Sequence, residues 1–140
     1  MASNVQTVKT SHQNFNQRNF DAVVGAFDPQ SVYRDHARGV NFSGHDELKT
    51  FLQRWVDAMS DAQITEPTYS EAGNVVIAQF TGRGRNDGPL GPLPPSGKEI
   101  TLPFCEVIRF NEQGKISSVD AYYDQLTMLV QLGHAQPTVA

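Results

Sequence analysis

The chain has 140 residues, 39% hydrophobic and 19% charged, a balance that suits one folded domain with its own core and excludes a disordered chain. Net charge is −4, and no basic stripe or interleaving of aromatics with Lys or Arg occurs, which argues against a nucleic-acid partner. The single cysteine, Cys105, excludes an internal disulfide or a cysteine metal site. With no signal-like start and no membrane-length apolar run, the expectation is a cytoplasmic protein without a membrane partner.

Ser3-Asn4-Val5-Gln6 has the form of a capping box, and Val5, Val8, His12 and Phe15 then share one helical face. A second short helix is predicted over 20–27, capped by Asn19 and ended by Asp28-Pro29. Residues 31–37 suit a short strand. Ser43-Gly44-His45-Asp46 opens the strongest helix, with Leu48, Phe51, Leu52, Trp55, Val56 and Met59 on one apolar stripe.

From Asp61 the period changes to two, and strands are predicted near 62–72, 74–86, 98–111 and 115–123. Residues 82–97, GRGRNDGPLGPLPPSG, carry five glycines and four prolines. They read as a long hairpin connection, either a lid or rim over a binding site or a mobile surface loop. Ile116 to Gly133 runs from a strand into a short helix, and the tail after Gly133 is expected to fray. Helices followed by a run of strands, without βαβ alternation, indicate an α+β fold with a mostly antiparallel sheet. The strand 98–110 has apolar residues on both sides: Ile100, Leu102, Phe104, Ile108 and Phe110 against Cys105 and Val107. Its far face is therefore expected to pack on a second subunit, giving a homodimer or a higher oligomer.

Asp124 stands at the strand-to-helix junction among aromatics and leucines. It is either the N-cap of the last helix or an acid whose pKa is raised for chemistry. Glu106 shares a strand face with Phe104 and Ile108, so it must find a partner or titrate high. Asp35-His36 sits on the early strand, where His36 could be a base, a hydrogen-bond donor or a structural histidine. His12 reads as a core residue, His45 as solvent-facing and His134 as part of the tail. The histidines have no metal-ligand spacing, and no Gly-rich phosphate loop follows a strand.

Four blocks resemble the SnoaL-like polyketide cyclases, also called ester cyclases. They are Val32-Tyr33-Arg34-Asp35-His36, then residues 44–52 (GHDELKTFL), then residues 91–98 (GPLPPSGK). The last runs from Arg109-Phe110 through Gly114-Lys115-Ile116 to Asp124 and Gln131-Leu132-Gly133. An acid seven residues before Gln-Leu-Gly is the most specific of these. The resemblance implies one SnoaL-like domain over residues 1–140. It also implies a cystatin-like α+β cone, shared with nuclear transport factor two, in which N-terminal helices pack on a curved sheet beside a short C-terminal helix. It further implies a cofactor-free enzyme that closes a ring by intramolecular aldol condensation in a hydrophobic pocket. Asp124 matches the family's acid/base, and a donor such as His36 or a tyrosine hydroxyl would stabilise the oxyanion; Asp35-His36 resembles a recurrent pocket pair of the wider family. Tyr33, Asp35, Trp55, Phe104, Glu106 and Tyr122 are expected to line the site for a small hydrophobic or aromatic substrate. Tyr122-Tyr123 is bulkier and more polar than the family pattern, which leaves room for another substrate. Alternatives are an isomerase, hydratase or hydrolase on the same cone, or a non-catalytic small-ligand module.

Overall fold

The computed structural model describes residues 3–137. Its elements, in order, are α1 (Asn4–Asn16), α2 (Phe20–Gly25), β1 (Phe27–Asp35), β2 (Val40–Ser43), α3 (Gly44–Ala58), β3 (Gln63–Ala72), β4 (Val75–Arg85), β5 (Glu99–Phe110), β6 (Ile116–Tyr122) and α4 (Gln125–Gln131). One six-stranded sheet runs β2-β1-β6-β5-β4-β3. The β1–β6 pair is parallel and every other pair antiparallel. Helices α1, α2 and α3 cover one face of this curved sheet, the α+β architecture expected from the order of the pattern.

The helices start where short polar side chains can satisfy free backbone amides. Ser3 Oγ accepts from Gln6 N at 3.1 Å. The Gln6 side chain turns to Thr10 rather than back to Ser3, so only half of the capping box forms. At α3 the cap residue Ser43 makes no side-chain cap, and Glu47, four residues on, accepts from Ser43 N at 3.1 Å instead. The second helix is shorter than predicted, ending at Gly25, because Phe27 and Pro29 already belong to β1. Strand β2, absent from the sequence prediction, is a four-residue edge strand, too short to show a pattern of its own.

The core lies between the α-layer and the inner sheet face. Val8, Phe15, Leu48, Phe51 and Leu52 pack on Val76, Ile100, Leu102, Ile108 and Val119. Burying a side chain such as Leu48 contributes about 1.5–3 kcal/mol. The sheet is bent near its far edge by a register shift between Thr65 and Thr68, with Glu66 at φ 53° in the bulge.

Of the predicted 82–97 connection, residues 82–85 belong to β4, with Gly82 and Arg83 at the cavity described below, and residues 86–97 are held by specific hydrogen bonds. Asn86 is 0% exposed. Its Nδ2 donates to the carbonyls of Ala58 and Gly88, and its Oδ1 accepts from Ser96 N. Ser60 bonds to Asp87 through both its amide and its hydroxyl. A Cβ at Gly88 would sit 1.8 Å from the Asp57 carbonyl oxygen, so glycine alone lets the loop press on the end of α3. No residue of 86–97 lines the cavity described below. Part of the tail expected to fray, residues 138–140, lies outside the described residues.

Candidate functional site

Period-two alternation turns Phe104, Glu106 and Ile108 of β5 to the inner face, as the sequence indicated. Glu106 is flanked across the sheet by Ala78 on β4 and Ala121 on β6. Both alanines are buried beside the carboxylate, and a cavity of about 110 Å³ lies between the sheet, α1 and α3. Tyr33, Phe51, Trp55, Phe80, Phe104 and Tyr123 supply its aromatic wall, and His12 and Glu106 are its central polar groups. Gly82 keeps the wall in place: a Cβ there would meet the Phe104 ring at 2.6 Å.

His12 Nε2 lies 2.8 Å from Glu106 Oε1, and His12 Nδ1 lies 2.9 Å from the Tyr69 hydroxyl. Tyr33 donates to Glu106 Oε2 at 3.0 Å. Nε2–H donates to Oε1, Tyr33 O–H donates to Oε2, and Nδ1 shares a hydrogen bond with the Tyr69 hydroxyl, so both carboxylate oxygens are held without Lys or Arg. The side chains of His12 and Glu106 are 11% and 13% exposed, so the pair sits largely out of water. Burial, then the Glu106 charge, pushes the Tyr33 pKa well up, and the same two causes raise Tyr69. Both hydroxyls therefore stay protonated donors at neutral pH.

A second buried acid stands behind the wall. Asp35 is 1% exposed and accepts from Tyr123 O–H at 2.8 Å, Arg38 Nε at 2.9 Å and Arg38 N at 3.2 Å. Burial, then Asp35, raises the Tyr123 pKa, so this hydroxyl also remains a donor. The Arg38 guanidinium lies over the Phe51 and Trp55 rings, which closes that end of the aromatic cluster.

The structure brings together Tyr33, Trp55, Phe104 and Glu106 of the expected site residues. Asp35 is adjacent but does not line the cavity. The other three lie elsewhere. Asp124 is exposed and caps α4: its side chain accepts from Leu126 N, Thr127 N and Thr127 Oγ1. Those bonds, led by Thr127, hold its carboxyl below the usual range, opposite to the raised value expected of a shielded base. His36 points to the outer sheet face, where Nε2 is 2.7 Å from Asp120 and the ring stacks on Tyr122 at 4.7 Å. Tyr122 is 46% exposed on that same face; its neighbour Tyr123 is the one that faces inward. His45, expected to face solvent, instead pairs with the Phe27 carbonyl at 2.8 Å. The sequence reading placed His12 in the core but missed its role, and it missed Tyr69 and Tyr123. The available signal was a histidine on the apolar face of α1 and an acid on an apolar strand face, each in need of a partner.

Comparison with solved structures places the fold. A candidate SnoaL-like polyketide cyclase from Jannaschia sp. CCS1 superposes with a TM-score of 0.85 at 19% identity, over 96% of this chain and 93% of that one. A candidate polyketide cyclase from Pseudomonas putida KT2440 gives 0.84 at 18% identity, over 94% and 99%. A protein from Catenulispora acidiphila with a ketosteroid isomerase-like fold, solved in complex with trimethylamine, gives 0.80 at 20% identity, over 92% and 93%. These likenesses show a fold of the nuclear transport factor two and ketosteroid isomerase kind. No functionally curated protein matches the sequence. Residues 8–119, most of the chain, match the family model described as SnoaL-like domain, and the chain belongs to that family.

Proposed function

We propose that this chain is a cofactor-independent acid–base enzyme of the cyclase or isomerase type, with Glu106 as the base. The observation that carries this reading is a carboxylate in an apolar cavity, both of whose oxygens are held by donors other than Lys or Arg. A carboxylate paired with Arg or Lys loses basicity; one steadied by a hydroxyl and an imidazole keeps more of it. Glu106 takes the acidic proton α to a carbonyl. The Tyr33 hydroxyl turns from Glu106 to the developing enolate oxygen. The enolate carbon then attacks a second carbonyl of the same molecule, and the proton held by Glu106 passes to the new alkoxide. If the proton returns to another carbon instead, the outcome is isomerisation. His12 keeps Glu106 aligned through both transfers.

Cavity size constrains the substrate. An apolar cavity of about 150 Å³ takes a benzene ring. Here about 110 Å³ is available, enough for the reacting portion of a molecule but not for a polycyclic skeleton. The trimethylamine held by the Catenulispora neighbour is a guest of suitable size, and it supports a second reading, that of a small-ligand binding module.

The test uses cyclopentanone as a probe. Hydrogen–deuterium exchange at its α-carbons in heavy water, followed by NMR, should be accelerated by the wild-type protein. Glu106→Gln should lower that acceleration about 10²–10⁴-fold. Equal rates for the two proteins would reject Glu106 as the base.

We also propose a homodimer through the outer sheet face, where Ile77 and Tyr122 are 40% and 46% exposed. Sedimentation at micromolar concentration should give twice the 15.5 kDa chain mass, and a monomer alone would reject it.

A further inference from the structure

We infer that the ligand of this cavity carries a methylated ammonium group, tertiary or quaternary, seated against Glu106. The inference rests on the reading of the Glu106 cavity as the binding site, and it adds the ligand's charge and substitution.

The first argument is charge. Among the described residues, no Lys or Arg lies within 4 Å of the Glu106 carboxylate; its one basic partner is His12, at 2.8 Å. The other charges nearby are already matched. Asp35 is paired with Arg38. Arg83, at the cavity edge, directs its guanidinium to Glu66 at 3.5 Å and Thr101 at 3.3 Å. The cavity thus holds one carboxylate with no Lys or Arg beside it, in surroundings of low polarity where an arriving cation is strongly attracted.

The second argument is the wall. Tyr33, Phe51, Trp55, Phe80, Phe104 and Tyr123 surround the hollow with ring systems, whose faces attract cations.

The third argument decides which cation. A primary ammonium brings three N–H donors that must all find acceptors once buried. The Glu106 oxygens already accept from His12 and Tyr33, and the remaining wall is mostly hydrocarbon. N-methyl groups need no acceptors and bury apolar surface. A trimethylammonium head also suits a space of about 110 Å³, with any longer chain directed outward.

The experiment compares three probes by NMR titration of the wild-type protein: choline, its neutral carbon isostere 3,3-dimethylbutan-1-ol, and ethanolamine. Choline should bind at least about tenfold more tightly than either of the others, with aromatic side-chain resonances of the cavity shifting on addition. Equal or tighter binding of the neutral isostere would overturn the charge argument. Equal or tighter binding of ethanolamine would overturn the methylation argument. Absence of saturable choline binding would overturn the proposal altogether. In all three cases cyclopentanone exchange still reports separately on Glu106 as a base, so the two readings fail independently. In Glu106→Gln, choline should lose its advantage while 3,3-dimethylbutan-1-ol binds as before; a retained advantage would also count against the inference.

Discussion

Two carboxylates, one on each face of the sheet, have opposite surroundings. Glu106 on β5 faces inward, and Asp120 on β6 faces outward beside Val107. Asp120 accepts from Arg34 at 3.1 Å, Arg109 at 3.1 Å and His36 at 2.7 Å. Burial alone would raise its pKa, but the hydrogen bonds and charges of His36 and Arg34 outweigh that and hold it low. Glu106 has a hydroxyl and one imidazole instead, and no Arg. What separates the two acids is the pair of arginines, not burial, since both side chains are 13% exposed. The proposed base is the acid without them.

The largest effect that could break this comparison is the loss of exchange activity in Glu106→Gln described above. Asp120→Asn should leave cyclopentanone exchange within about twofold, whereas a loss like that of Glu106→Gln would erase the distinction between the faces. Next in size is Tyr33→Phe. Removing a donor to a developing oxyanion costs about 10²–10³-fold, and the loss should fall on kcat rather than KM once a substrate is in hand. An unchanged kcat would make Tyr33 a wall residue only.

The third effect is on stability and pH. Because the folded-state pKa of Asp120 is depressed, its ionised form stabilises the fold above the unfolded value of about 3.9, and this is lost as pH falls through the lower folded value. Urea midpoints of wild type and Asp120→Asn should therefore differ at pH 7 and converge below about pH 3.9. A gap that persists in acid would mean that Asp120 acts by packing rather than charge. Salt should also narrow the gap at neutral pH, since Arg34 and Arg109 are largely open to solvent. The smallest effect concerns Asp124. Asn keeps a cap and should leave the thermal midpoint unchanged, while Ala should lower it slightly. Neither change should alter exchange. Loss of exchange in Asp124→Asn would return the acid/base role to the residue that the family resemblance favoured.

The strands were legible because their polarity alternates. The predicted 98–111 strand and its inward set Phe104, Glu106 and Ile108 match β5 closely. The helical stripe from Leu48 to Trp55 is likewise a periodicity that packing enforces. The candidate site was half legible. Facing can be read from a pattern, but partners cannot. His12 and Glu106 are 94 positions apart, and nothing local in either segment names the other. His36 shows the opposite failure. It follows a buried residue, Asp35, and a displacement of one position moved it to the other side of the sheet. At Asp124, cap and catalyst look alike in sequence, and local amides claimed the side chain before any cavity could.

Ala78 and Ala121 have a consequence for how this fold can change its use. Methyl groups rather than larger side chains flank Glu106 on both neighbouring strands. Capacity is therefore adjustable without touching the backbone. Leucine at either position would crowd the carboxylate and turn a hollow cone into a solid one, at a cost of roughly 1–3 kcal/mol from overpacking.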